Sequence, residues 1–280
     1  MSSSTLENRL ATAISEGRIS GRLWLYSNYH CNLACRYCLT ESSPSSPARN
    51  LDSEQMIKYA IQGKALGFTG IGITGGEPFL RSDIINIISE ITKVLPVTVL
   101  TNGTLFNKRR LLEFEHLKES DLRIQISLDS ANPIQNDEMR GPTNFAKVIE
   151  AVPKLVDMGF HVRIASTVSS QDPEEKRALQ DLVATLGIKP KDHIIRHIVS
   201  RGRAVLEKMG VFAPLEKLSP ELTITAHGAF WSPFAPTYKN GRLQKDLLIT
   251  TKTQPLSHPT IELLNFIQSV PVAEEIEGFV

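Results

Sequence analysis

The chain has 280 residues, 41% of them hydrophobic, with 31 Lys and Arg set against 30 Asp and Glu. That length can bury one large core, and an α/β barrel of this size commonly forms a single domain. The near-neutral charge and the lack of a basic block argue against nucleic acid as a partner. No stretch approaches the roughly 18 apolar residues of a membrane span, and the N-terminus has no signal-peptide core, so a soluble, cytoplasmic protein without a membrane partner is expected.

In chain order, Leu6, Leu10 and Ile14 share one helical face, so residues 5 to 17 predict a short amphipathic helix ahead of the main domain. From Leu23 onward, strand-like runs alternate with helical ones. The strands are expected at 23–27, 70–74, 97–101, 122–128, 161–168 and 194–199, and the helices at 53–66, 84–94, 108–118, 145–158 and 174–186. Asp52 followed by Gln55 is the pattern of a capping box at the first of these helices. Repeated strand-helix-strand units imply right-handed crossovers and a parallel sheet, and six units rather than eight imply an incomplete, TIM-like (βα)6 barrel of the α/β class. Beyond Val199 the pattern weakens to a hairpin over 222–231, turning at His227-Gly228, and a helix near 261–268. The expected organisation is a helix at 1–20, a barrel at 21–204 and a small extension at 205–280.

In such a sheet the reactive groups sit on loops after the carboxyl ends of strands. After the first strand comes His30-Cys31-Asn-Leu-Ala-Cys35-Arg-Tyr-Cys38, a C-x3-C-x2-C loop that holds all three cysteines of the chain. An odd, tightly clustered set suits a metal site in a reducing compartment better than disulfides. Three thiolates can hold three irons of a cubane and leave the fourth open, whereas electron-transfer clusters use four cysteines. Other readings of the same residues are zinc completed by His30, three packing cysteines, or a cluster with a non-cysteine fourth ligand.

Four further strings follow later strands: Thr74-Gly75-Gly76-Glu77-Pro78, Thr101-Asn102-Gly103, Ser127-Leu-Asp129, and Arg140-Gly141 with Phe145. Alone, the first two are ordinary turns, the third a strand-end cap and Arg140 a surface arginine. Paired glycines also permit close backbone approach, and Glu77 could accept from an ammonium group. Arg163 and Arg196, set among apolar strand residues, either face a polar cavity, where they could anchor an anionic group, or snorkel outward; His193 and His197 read as packing or hydrogen-bonding residues.

Over 23–199 the chain resembles the radical S-adenosylmethionine superfamily, whose C-x3-C-x-aromatic-C signature matches Cys31, Cys35, Tyr37 and Cys38. The resemblance implies one 4Fe-4S cluster on the three cysteines, with S-adenosylmethionine chelating the open iron through its amine and carboxylate. It places Tyr37 near the adenine, Gly75, Gly76, Glu77 and Pro78 at the methionine amine, and Thr101 and Asn102 on the cofactor or substrate cavity. Ser127 and Asp129 would lie at the carboxylate or ribose, with Arg140 reaching the carboxylate or organising its loop and Thr167-Val168 near the adenine. The activity implied is reductive cleavage to a 5′-deoxyadenosyl radical that abstracts hydrogen from a small-molecule or peptide substrate, with an external donor such as flavodoxin or ferredoxin. With every cysteine committed, no auxiliary cluster or thiol donor is expected; the tail resembles a SPASM or twitch hairpin without its thiolates. A molybdopterin-type cyclase is disfavoured because Gly72 stands where that group carries arginine. An activase that installs a glycyl radical on a partner protein and a non-catalytic iron-sulfur protein are the alternatives.

Overall fold

The computed structural model describes residues 3–168, 172–214 and 218–269, so the outermost ends of the two predicted terminal segments lie outside the described residues. Helix α1 (Ser3–Ser15) precedes β1 (Arg22–Tyr26), α2 (Ser53–Leu66), β2 (Gly70–Thr74), α3 (Ile84–Thr92), β3 (Val97–Thr101), α4 (Lys108–Phe114) and β4 (Leu122–Ser127). Next come α5 (Pro133–Arg140), α6 (Asn144–Asp157), β5 (His161–Val168), α7 (Pro173–Thr185), β6 (His193–His197) and the single turn α8 (Arg203–Leu206). The chain continues with β7 (Thr223–Thr225), β8 (Gly228–Phe230), β9 (Tyr238–Lys239), β10 (Arg242–Leu243), β11 (Leu248–Thr250) and α9 (Ser257–Ser269).

Strands β1 to β6 are hydrogen-bonded in sequence order and all parallel, which is the expected incomplete TIM-like barrel. The alternation of residues along each strand decides what each face does. Leu23, Leu25, Ile71, Ile73, Val97, Val99, Ile124, Ile126, Val162 and Ile164 are all buried, in one core with the apolar faces of α3 (Ile84, Ile87, Ile88, Ile91), α6 (Val148, Val152, Leu155) and α7 (Leu179, Val183). The residues between them are often polar. Arg22, Trp24, Tyr26, Gln125, Ser127, Arg163, Thr167 and Arg196 point to the opposite face, where they line a cavity of about 630 Å³.

Local signals explain most boundaries. Asp52 caps α2, its carboxylate accepting from the Gln55 amide at 2.9 Å, and Gly67 ends the helix in the left-handed region that favours glycine. Helix α5 was not expected, because it is too polar to show an apolar stripe. Its start nevertheless follows a rule: Asn132 caps the Ile134 amide at 2.9 Å, and Pro133 occupies the first turn, where its missing N–H costs nothing.

The expected tail hairpin is β7–β8, and it does more than append to the barrel. Strand β7 pairs in parallel with β1, so β7, β8 and β11 extend the barrel sheet past its first strand into one nine-stranded sheet. The small β9–β10 ribbon and β11 were not expected, since segments of two or three residues carry no readable period. Helices α1 and α9 meet: Arg9 on α1 donates to Asn265 on α9 at 3.0 Å, and Leu6, Leu10 and Ala13 of α1 are buried.

Candidate functional site

The cysteine loop leaves β1 at Tyr26 and is pinned from several sides. The Tyr29 amide donates to the Ala48 carbonyl at 2.7 Å, and the amides of Gly76 and Glu77 donate to the carbonyls of Asn28 and His30, each at 2.9 Å. Backbone therefore lies directly on backbone. A Cβ on Gly76 would sit 2.2 Å from the His30 carbonyl oxygen, so this glycine is required by contact rather than by turn shape.

Cys31, Cys35 and Cys38 all open onto the same cavity, and hydrogen-bond donors approach two of the sulfurs. Cys31 Sγ receives the Leu33 amide at 3.4 Å and Asn102 Nδ2 at 3.8 Å, and the Thr40 hydroxyl lies 3.5 Å from Cys38 Sγ. Burial pushes the Cys31 thiol up to about 12, with the Glu77 charge adding to it, and pushes Cys35 up to about 11 against the opposing charge of Arg140. A thiolate at Cys31 or Cys35 is thus unfavourable until a cation joins it, and metal ligation there would release the proton. Among the described residues no three His, Cys, Asp or Glu side chains converge closely enough to hold a single ion. His30 Nδ1 lies 3.0 Å from the Ser46 carbonyl. A cubane makes a different demand, since its ligands occupy separate iron corners and need not meet at a point. Three sulfurs on one cavity, with N–H donors at Cys31 and a hydroxyl beside Cys38, fit that demand.

The GGEP string divides its work between backbone and side chain. Gly75 and Gly76 line the cavity, but Glu77 and Pro78 do not. The Glu77 carboxylate is fully buried and accepts from the Phe79 amide (3.0 Å), the Thr101 hydroxyl (2.8 Å) and the Asn102 amide (2.8 Å). Burial holds its pKa above the usual carboxylate range despite those three donors. The expected acceptor for an ammonium group is thus turned inward, where it ties β2 to the end of β3. Asn102 is similarly engaged, donating to Asn32 at 2.9 Å and accepting from the amide (2.9 Å) and hydroxyl (2.6 Å) of Thr104, although it and Thr101 still line the cavity.

A second buried web fixes the opposite rim. Asp129 accepts from the Thr167 amide at 2.9 Å, from Arg140 at 3.1 Å and from the Tyr37 hydroxyl at 2.5 Å, while Arg140 also donates to the Tyr37 oxygen. Burial pushes the Tyr37 phenol well up, against the pull of Arg140 and with that of Asp129, so the hydroxyl keeps its proton as donor. Asp129 does not line the cavity, and its carboxylate is taken up by protein partners. Ser127, Arg140, Tyr37 and Thr167 do line the cavity. Arg140 is buried rather than at the surface, and its Nε has no partner among the described residues.

Several lining residues carried no recognisable string. Trp24 crosses the space above Gly72, where a Cβ would lie 2.2 Å from the indole ring, and its Nε1 donates to Glu221 at 2.6 Å. Phe234 and Pro233 close the side contributed by the C-terminal extension. The polar-apolar alternation of β1, Arg22-Leu-Trp24-Leu-Tyr26, was the available signal for the first of these; nothing local marks Glu221, Pro233 or Phe234. His193 proves to be a hydrogen-bonding residue, its Nε2 2.9 Å from the Ser166 hydroxyl.

Residues 25–182 match the Radical SAM superfamily. The match spans more than half of the chain, and this protein belongs to that superfamily, whose members use a 4Fe-4S cluster and S-adenosylmethionine. Among curated relatives, the probable GTP 3′,8-cyclase of Archaeoglobus fulgidus is 32% identical over 145 residues, 51% of this chain and 47% of that protein. The antilisterial bacteriocin subtilosin biosynthesis protein AlbA of Bacillus subtilis is 33% identical over 180 residues, 64% of this chain and 40% of that protein. The chain thus spans less than half the length of these relatives. Among solved structures, native anSMEcpe with bound AdoMet superposes with a TM-score of 0.65 at 14% identity, covering 88% of this chain and 82% of that one. Streptococcus suis SuiB bound to S-adenosylmethionine gives 0.57 at 22% identity, covering 70% and 46%. These likenesses are of fold.

Proposed function

We propose that this chain is a radical S-adenosylmethionine enzyme that removes hydrogen from a small-molecule or peptide substrate in the barrel cavity. One observation carries the reading: the three thiols of the C-x3-C-x2-C loop open onto the same cavity as Gly75, Gly76, Thr101, Asn102, Ser127 and Arg140. We assign Cys31, Cys35 and Cys38 to the cluster. The glycine backbone, Ser127, Arg140 and the ring of Tyr37 are assigned to the cosubstrate, with Thr101 and Asn102 between cosubstrate and cluster. When bound, the cofactor pair supplies reductive cleavage of the sulfonium and, with it, an oxidant strong enough to abstract hydrogen.

The chain's own residues position and shield. The Glu77 web holds the Asn102 amide edge against Cys31, and the Asp129 web holds Tyr37 and Arg140 at the opposite rim. Such prearranged polar groups need no reorganisation once water has been excluded. Residues 21–204 form the catalytic unit in this reading. Residues 205–280 complete its wall through Glu221, Pro233 and Phe234, and the segment 1–20 carries α1, which packs against α2 and α9. An external one-electron donor such as flavodoxin or ferredoxin is required. AlbA is named for bacteriocin biosynthesis, and SuiB has been solved bound to its precursor peptide SuiA, which supports a peptide as one of the two substrate classes.

The test is anaerobic reconstitution with iron and sulfide, then reduction in the presence of S-adenosylmethionine. The wild-type chain should form 5′-deoxyadenosine, and Cys35→Ala should lose both the cluster absorbance and the product. Product at the level of that variant in the wild type would overturn the assignment.

A further inference from the structure

The inner face of the barrel carries more positive charge than the site described so far can use. Arg22 on β1, Arg163 on β5 and Arg196 on β6 all line the cavity. Neither hydrogen bond nor ion pair joins the guanidinium of Arg163 or Arg196 to any described residue, and the buried Nε of Arg163 has no partner. Arg22 lies 5.3 Å from the centroid of the Trp24 ring. Burial, and then the like charges of Arg123 and Arg22, push the Arg163 pKa down; burial does the same to Arg196. Arg163 is therefore crowded by other guanidiniums, whereas Arg196 faces the acidic side chains of Tyr37, Asp129 and Glu221, none of which bonds it; apolar side chains would have packed on these strands at no electrostatic cost.

The nearby carboxylates offset part of this charge but bond neither Arg163 nor Arg196. Asp129 is taken by Tyr37, Arg140 and the Thr167 amide, and Asp192 lies 2.8 Å from His161 Nε2. Glu221 accepts from Trp24, and burial raises its pKa against the pull of Arg22 and Arg196. S-adenosylmethionine carries a single carboxylate, so even if it took one guanidinium, others would remain. Guanidinium forks match the oxygen pairs of carboxylates and phosphates, and a desolvated cavity strengthens that match.

We propose that Arg163 and Arg196, backed by Arg22, form an oxyanion subsite that holds a carboxylate or phosphate group of the substrate. This rests on the cavity being the reaction chamber of a radical enzyme and gives that chamber a substrate class. Trp24, stacked beside Arg22 and anchored to Glu221, forms its apolar side and favours a substrate with an anionic end attached to a planar or aliphatic body.

The test is calorimetric titration of the full chain with inorganic phosphate and, separately, malonate, at ionic strength held constant with chloride. It is run on the reconstituted protein saturated with S-adenosylmethionine and again on the metal-free protein. Saturable binding of one probe is expected, and which one binds distinguishes phosphate from carboxylate. Arg163→Gln and Arg196→Gln should each weaken that probe by about tenfold while leaving S-adenosylmethionine affinity unchanged, and the exposed Arg109→Gln should leave both unchanged. If a glutamine variant does not fold, Arg196→Lys keeps the charge, loses the fork and should still weaken the probe. No saturable binding in the wild type, equal binding in all variants, or a parallel fall in S-adenosylmethionine affinity would each overturn the subsite. Cluster absorbance and 5′-deoxyadenosine formation report separately on the radical chemistry, and the metal-free titration does not depend on it.

Discussion

The rim of the barrel and its floor are built on opposite principles. At the rim, Glu77 has three donors and Asp129 three, and Tyr37, Thr101 and Asn102 are each tied to a partner. On the floor, Arg163 and Arg196 have none among the described residues, and a tryptophan fills the space above a glycine. A saturated network is finished before any ligand arrives and behaves as scaffold. An unsaturated one bears a desolvation and repulsion cost that only a ligand can remove. The difference separates carboxylates set back from the cavity, whose oxygens are already taken, from guanidiniums that line it with their donors unspent.

The largest effect should come from breaking the rim. Glu77→Ala would strand the Phe79 amide, the Thr101 hydroxyl and the Asn102 amide in a dry interior, and a loss of about 3 kcal/mol in chemical denaturation is expected. A variant as stable as wild type would show that the web is not the scaffold described here. On the floor, Gly72→Ala places a methyl 2.2 Å from Trp24 and should cost about 2 kcal/mol through overpacking. Combining it with Trp24→Leu should cost less than the two changes added separately; simple additivity in that double-mutant cycle would disprove the contact.

The smallest effect comes from a residue outside both groups. Burial lowers the His193 pKa from 6.5 to about 4, beside the Ser166 hydroxyl. The unfolded chain therefore takes up this proton first as pH falls. The stabilisation from the neutral ring is complete above pH 6.5 and is lost on descending toward about 4. Because the ring is only half-buried, the loss should not exceed about 2 kcal/mol. Urea midpoints taken across that range should converge for wild type and His193→Gln near neutrality and separate in acid, with wild type the lower; parallel curves would rule His193 out.

Much of the barrel was readable because its outer face obeys simple periodicity. Val97 and Val99 alternate with Thr98 and Leu100, and Ile84, Ile87, Ile88 and Ile91 recur at helical spacing, so strands and helices declared themselves. The cluster loop was readable for a different reason: its chemistry requires three sulfurs close together in the chain. Residue identity alone could not say which atoms of a motif face the cavity. Glu77 and Asp129 look like ligand groups in a sequence, and only the three-dimensional positions of Phe79, Asn102, Thr167 and Arg140 reveal that their oxygens are already taken. Glu221 was invisible for the converse reason, since its partner Trp24 lies 197 positions earlier.

The fastening of the cysteine loop has a consequence for how the protein is made. Arg203 donates to the carbonyls of Cys35 and Ser42, reaching back 168 and 161 positions. Tyr238 binds the Leu39 carbonyl at 3.0 Å, and the amides of Asn240 and Gly241 bind Glu41 at 2.9 and 2.8 Å. On a ribosome, the three sulfurs emerge long before anything exists to clasp the loop that bears them. Iron delivered to the nascent chain would meet an unshaped ligand set, whereas iron delivered after release meets one already drawn into place. The loop that bears the three thiols is therefore fully clasped only once residues 203–241 have folded onto it.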